Sequence, residues 1–139
     1  LIEITEAAAM TDPDRTKAIL TTLRDRGLRF AIDDFGTGFS SISRLRDMPV
    51  DVLKIDQSFV RDVSHDRDAD DLARAAIQLA LGLGKTPLAE GIETEEQRRV
   101  LVDAGCRIGQ GYFFGEPVGA EEVPALIRRG FRTQLGASA

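Results

Sequence analysis

The sequence predicts a parallel β/α domain, and two observations carry that prediction. Short apolar strand candidates alternate with helical patterns at intervals of about 20 to 35 residues, the spacing of strand–helix–strand construction. Several of these strands run directly into ionisable residues, as at Asp33-Asp34, Lys54-Ile55-Asp56 and Glu90-Gly91. In parallel folds the C-terminal strand ends form the active face. A small doubly wound sheet and the last five units of an eight-stranded barrel fit this pattern equally.

The first strand candidate is Leu1 to Thr5. A helix is expected over Asp14 to Asp25, where Ile19, Leu20 and Leu23 supply an apolar stripe and Gly27 ends it. The second strand is Arg29 to Asp33 and the third Asp51 to Ile55, with a short helix between them near Ser41 to Arg46, stopped by Pro49. Ala69 to Leu83 is the longest helical pattern, repeating through Leu72, Ala76, Leu79 and Leu83. The fourth strand, Pro87 to Glu90, leads to a helix over Glu95 to Asp103, which Thr94 and Gln97 open with a capping box. A fifth strand over Gly109 to Phe114 and a helix over Ala120 to Arg129 complete the series. The expected domain occupies residues 1–130. The tail over 131–139 has no periodicity and reads as disordered.

Composition narrows the class. A chain of 139 residues, 42% hydrophobic and 29% charged, suits one globular domain. Its net charge of -5 speaks against a general nucleic-acid surface or a basic lipid-binding face. A phosphate-bearing substrate stays open, because bound divalent cations reverse the local sign of an acidic site. The single Cys106 excludes an internal disulfide and reads as a buried small hydrophobe. No apolar run reaches the roughly 18 residues of a membrane span, and the start lacks a signal peptide, so the cytoplasm is the expected compartment. The chain opens inside a strand without a methionine, which suggests a cut through a larger polypeptide.

The chemistry is concentrated at the strand ends. Glu3, Asp33, Asp34, Asp56 and Glu90 would gather five negative charges on one face. Such a cluster repels itself unless it takes up protons or binds metal. Oxygen-only donors favour magnesium or manganese over zinc, and the one histidine, His65, lies in a charged surface stretch. Taken alone, Glu3 and Glu6 read as solvated strand-exit residues. Asp33-Asp34-Phe35-Gly36-Thr37-Gly38 is the sharpest local feature. It is either a glycine turn capped by its first aspartate or a tight loop that brings two carboxylates to a metal pair. Lys54 and Asp56, two residues apart, share one side of their strand, and a lysine in an apolar run needs a partner. Glu93 could brace its loop, and Gln110 could donate to an anionic oxygen.

Five segments in series resemble the EAL-domain family of cyclic di-GMP phosphodiesterases. They are Glu3-Ile4-Thr5-Glu6, Asp33-Asp34-Phe35-Gly36-Thr37-Gly38-Phe39-Ser40-Ser41, Leu53-Lys54-Ile55-Asp56, Ala89-Glu90-Gly91-Ile92-Glu93-Thr94 and Gln110-Gly111-Tyr112. The resemblance implies the C-terminal five β/α units of a variant (β/α)8 TIM-type barrel. It implies hydrolysis of cyclic di-GMP to linear pGpG with two divalent cations, Mg2+ or Mn2+. Glu3, Asp33, Asp34, Asp56 and Glu90 then match metal positions, and Asp33, Asp34, Lys54 and Glu90 match catalytic ones. Glu6 matches the glutamate that anchors the loop of Gly36, Thr37 and Gly38, a loop linked in the family to homodimer formation. Glu93 and Gln110 match supporting positions. Phe39 stands where tyrosine is common.

The departures are also definite. The family's Glu-Ala-Leu segment is not in the sequence, nor are its substrate-binding arginine and asparagine ligand. The resemblance therefore implies that the activity belongs to a parent domain, in a protein with room for sensory or GGDEF-type domains, and that these residues alone are inactive. The alternative is a non-catalytic cyclic di-GMP receptor or interaction module.

Overall fold

The computed structural model describes residues 1–36 and 41–129. Among these residues five strands, β1 (Ile2–Thr5), β2 (Phe30–Phe35), β3 (Val52–Ile55), β4 (Thr86–Ala89) and β5 (Ile108–Gly109), form one sheet. All four pairings are parallel, and the spatial order is β1-β2-β3-β4-β5. That order decides between the two architectures left open by the sequence. A doubly wound sheet reverses its strand order at a switch point, whereas a barrel adds each strand beside the last. Here the order never reverses, so the sheet winds as a (β/α)8-type barrel does.

Among the described residues, six helices fill the connections, α1 (Glu6–Thr11), α2 (Pro13–Arg24), α3 (Ile42–Asp47), α4 (Gln57–Val60), α5 (Arg67–Gly82) and α6 (Glu95–Asp103), and a seventh, α7 (Val123–Arg129), follows β5. Two were not expected. α1 begins where the Thr5 hydroxyl caps the Ala8 amide, and its alanines favour helix until Asp12 and Pro13 restart the chain as α2. α4 is a single turn and too short to leave a periodic pattern.

The fifth strand is shorter than expected. Instead of running to Phe114, β5 ends at Gly109. The Gln110 carbonyl accepts from the Ile92 amide (3.1 Å), and the Ile92 carbonyl accepts from Phe113 (3.0 Å). The chain has by then turned, with the Phe114 amide donating back to Gly111 at 3.1 Å. Apolar residues here serve a turn folded on Ile92 rather than a strand. The expected tail over 131–139 lies outside the described residues.

Register assigns the two faces of the sheet. Ile4, Ile32, Leu53 and Pro87 lie side by side, as do Ile55 and Ala89. By alternation these residues share a face. Phe30, Ile32, Leu53, Ile55 and Ala89 join helix residues such as Leu20, Leu45, Ile77 and Leu101 in the hydrophobic core. The opposite face carries Glu3, Ala31, Val52 and Thr86, then Asp33, Lys54 and Leu88 one step further along. Ala31 and Val52 are buried there but stand apart from that core. Among the described residues, no helix is long and apolar enough to cross a membrane.

Candidate active site at the strand ends

Parity places the site. Glu3, Asp33 and Lys54 lie on the non-helical face, and Glu90, just past β4, continues it two residues beyond Leu88. Three of their carboxylates meet at one point. Lys54 Nζ donates to Glu3 Oε2 at 2.7 Å and to Asp33 Oδ1 at 2.8 Å, and pairs with Glu90 Oε1 at 2.9 Å. Lys54 itself is 4% exposed. Burial alone would lower the pKa of its ammonium, but the hydrogen bonds it donates to Asp33, Glu3 and Glu90 outweigh that and raise it above the ordinary lysine value. Glu90 moves in the other direction from most paired acids. Its partial burial raises its pKa, and the Lys54 contact only partly offsets this. Gln110 Nε2 donates to the same Glu90 oxygen at 2.5 Å.

The Asp33-Asp34 pair is resolved by a bulge. Ile32 pairs with Leu53 and Phe35 with Ile55, so β2 holds one residue more than β3 between those two pairings. The extra residue sits opposite Lys54, and Asp34 takes φ of 56°, the left-handed region that Asp and Asn tolerate better than most. The bulge returns Phe35 to the helical face while leaving Asp33 on Lys54. It is what lets consecutive aspartates both stand at this rim.

The remaining candidates surround this centre rather than join it. Glu6, buried at the start of α1, accepts the Gly36 amide on Oε2 at 3.0 Å and so holds the segment after the bulge. Asp56 is engaged elsewhere: its Oδ1 accepts the Ser58 amide at 2.9 Å and caps α4. Desolvation pushes the Asp56 pKa up, but hydrogen bonds to Ser58 and Gln57 dominate and hold it below the usual carboxylate range. Glu93 lines a cleft of about 460 Å³ with Gln57, Gly91, Gln110 and Tyr112. Thr37 and Gly38 lie outside the described residues. The sequence marks Tyr112 only as part of the Gln110-Gly111-Tyr112 segment, with no role of its own, and gives no signal for Gln57, which lines the same cleft, or for Phe59.

The profile of the EAL domain family matches residues 1–117. The chain belongs to the EAL domain family. Solved EAL structures share its fold. The EAL domain of Mycobacterium smegmatis DcpA superposes with a TM-score of 0.85 at 40% identity, covering 93% of this chain and 58% of that one. A cyclic di-GMP complex of the phosphodiesterase MucR gives 0.82 at 40% identity, with 87% and 49% covered. MucR of Pseudomonas aeruginosa, a bifunctional diguanylate cyclase/cyclic di-GMP phosphodiesterase, is 39% identical over 127 residues. This chain spans only 18% of that relative's length. A manganese/cyclic di-GMP complex of Klebsiella pneumoniae BlrP1 aligns with a TM-score of 0.75 at 36% identity, over 84% and 30% of the two chains.

Whether these EAL residues suit a divalent cation can be tested on their chemistry. Three carboxylates around one ammonium leave two negative charges uncompensated, and every donor is a hard oxygen. That combination suits magnesium or manganese. Among the described residues no ready-made cage of three such side chains stands apart, because the common focus of these carboxylates is Lys54 Nζ.

Proposed function

We propose that the EAL domain to which these residues contribute hydrolyses one phosphodiester bond of cyclic di-GMP, giving linear pGpG, and that the 139 residues alone are inactive. The observation that carries this reading is the meeting of Glu3, Asp33 and Glu90 on Lys54 at the C-terminal strand ends. The relatives that turn over or bind cyclic di-GMP support the substrate class.

Glu3, Asp33, Asp34 and Glu90 would hold two divalent cations, Mg2+ or Mn2+, while Asp56 at the exit of β3 caps α4. When bound, such cations lower the pKa of water and stabilise a leaving oxygen. The protein's own groups supply the rest. Lys54 sets a fixed positive charge beside the transferring phosphoryl group. A Glu90 carboxylate oxygen, its proton affinity already raised by burial, accepts the proton of the attacking water. Gln110 fixes the orientation of that carboxylate. Glu6 holds the Gly36 segment. The cleft at Glu93 and the exposed ring of Tyr112 offer a recess and a stacking face for a purine.

Mn2+-dependent turnover of cyclic di-GMP by the full-length protein, with none above background from residues 1–139, is the expected result. A full-length protein that binds cyclic di-GMP without hydrolysing it, although Asp33, Lys54 and Glu90 are intact, would overturn the reading in favour of a receptor.

A further inference from the structure

α4 is one turn long, yet the segments that leave β2 and β4 both rest on it, and α6 reaches its end. Phe59 lies so near Gly36 that a Cβ there would stand 2.6 Å from its ring. Gln57 crowds Gly91 in the same way, at 2.7 Å from the position of a Cβ. At the far end of the turn, the amide of Gln97 donates to the Val60 carbonyl at 3.2 Å and the Arg61 carbonyl at 3.0 Å. Both carbonyls lie at the end of α4, where helix geometry leaves acceptors open; Val60 also accepts from the Val63 amide at 3.1 Å. The Oε1 of the same side chain accepts from the amides of Glu93 at 2.8 Å and Thr94 at 3.0 Å.

Both donors and both lone pairs of the Gln97 amide are therefore used, and its side chain is buried. A flipped amide would oppose donor to donor and carbonyl to carbonyl, so its orientation is fixed by its neighbours. Opening α6 requires only half of this arrangement. The capping box is complete with the Thr94 hydroxyl on the Gln97 amide (3.2 Å) and Oε1 on the Thr94 amide, and glutamate serves that role as well as glutamine. The two Nε2 bonds do something else. They tie the segment from Glu90 to Glu93 to α4, and through the Asp56 cap to the exit of β3, two residues from Lys54.

We propose that Gln97 is a positioning residue for phosphodiester hydrolysis, keeping Glu90 against Lys54 by pinning the loop that runs from Glu90 to Glu93 onto α4. It touches neither substrate nor reacting atoms, and the proposal rests on the hydrolytic reading above.

Two substitutions in the full-length protein separate pinning from capping. Gln97→Glu keeps the acceptor toward Glu93 and Thr94 but sets a carboxylate against the Val60 and Arg61 carbonyls. Thr94→Ala removes the hydroxyl cap and leaves the bridge. With Mn2+ and cyclic di-GMP, at a temperature where circular dichroism shows both variants folded, Gln97→Glu should lower kcat by about 100-fold with KM nearly unchanged. Thr94→Ala should lower Tm while leaving kcat within about threefold of the parent, since a lost cap weakens the helix and not the loop. Amide exchange across Gly91–Thr94, read by mass spectrometry, should be faster in Gln97→Glu than in Thr94→Ala. Equal kcat losses that follow Tm in both variants, or an unchanged kcat in Gln97→Glu, would overturn the proposal. An inert parent protein would overturn the hydrolytic reading instead, and unchanged exchange in Gln97→Glu would then separately dispose of the tie to α4.

Discussion

Along β3, Leu53 and Ile55 turn toward the helices while Val52 and Lys54 turn toward the other face of the sheet, and the two faces have little in common beyond the backbone they share. On the helical side Phe30, Ile32, Leu53, Ile55 and Ala89 are each exposed by 1% or less. On the other side Lys54 is buried, but the Glu3 side chain it holds is 46% exposed. The first face stabilises by removing apolar surface from water, at roughly 1.5–3 kcal/mol for each large side chain. The second concentrates like charges whose mutual repulsion one ammonium only partly relieves. Substitutions one residue apart should therefore fail in different ways, one in stability and the other in chemistry.

The sharpest way to separate the faces is Glu90→Gln in the full-length protein. Loss of the proton acceptor should reduce cyclic di-GMP turnover by about 10³-fold or more, while urea unfolding stays within about 1 kcal/mol of the parent. A variant that unfolds easily instead would show that the acidic face also holds the fold. Leu53→Ala tests the other side. Its cavity should cost about 2–5 kcal/mol in chemical denaturation, with the specific activity of the folded fraction retained. Loss of activity without loss of stability there would break the division between the faces.

The smallest effect is one of pH. Burial raises the Glu90 pKa above its unfolded value, so the metal-free native state takes up this proton more readily than the unfolded chain. The resulting stabilisation is fully present below the ordinary glutamate pKa of about 4.3 and is lost as pH rises through the higher native value. Without divalent cations, the parent should lose stability relative to Glu90→Gln as pH rises from the ordinary glutamate pKa of about 4.3 through the higher native value. Parallel unfolding profiles across that range would remove the argument.

Much of this division was legible in the sequence. Strand spacing announced a parallel sheet, the acidic strand exits announced a charged rim, and Lys54 in an apolar run announced a paired lysine. What stayed hidden depended on single residues. Nothing in Asp33-Asp34 shows that β2 carries a bulge, because the register is set by its partner β3. Asp56 read as a rim carboxylate, but one helical turn after it, too short to have a period, turns its side chain to a cap. The apolar run from Tyr112 to Phe114 looked like strand because alternation cannot distinguish a strand from a turn folded on Ile92. Gln97 was visible as a capping residue, whereas its second pair of hydrogen bonds reaches residues more than thirty positions away.

The bulge in β2 also governs how mutational data at the rim should be interpreted. With Asp34 at φ of 56°, a substitution scan at this position measures two properties together: tolerance of a left-handed backbone and the presence of a carboxylate. Valine or isoleucine would lose both, and glycine would keep the first at the expense of a freer chain. Asparagine is the informative replacement, since it accepts the same backbone and removes only the charge. Among substitutions at Asp34, its score is the one that reports chemistry, and the spread among the others reports geometry.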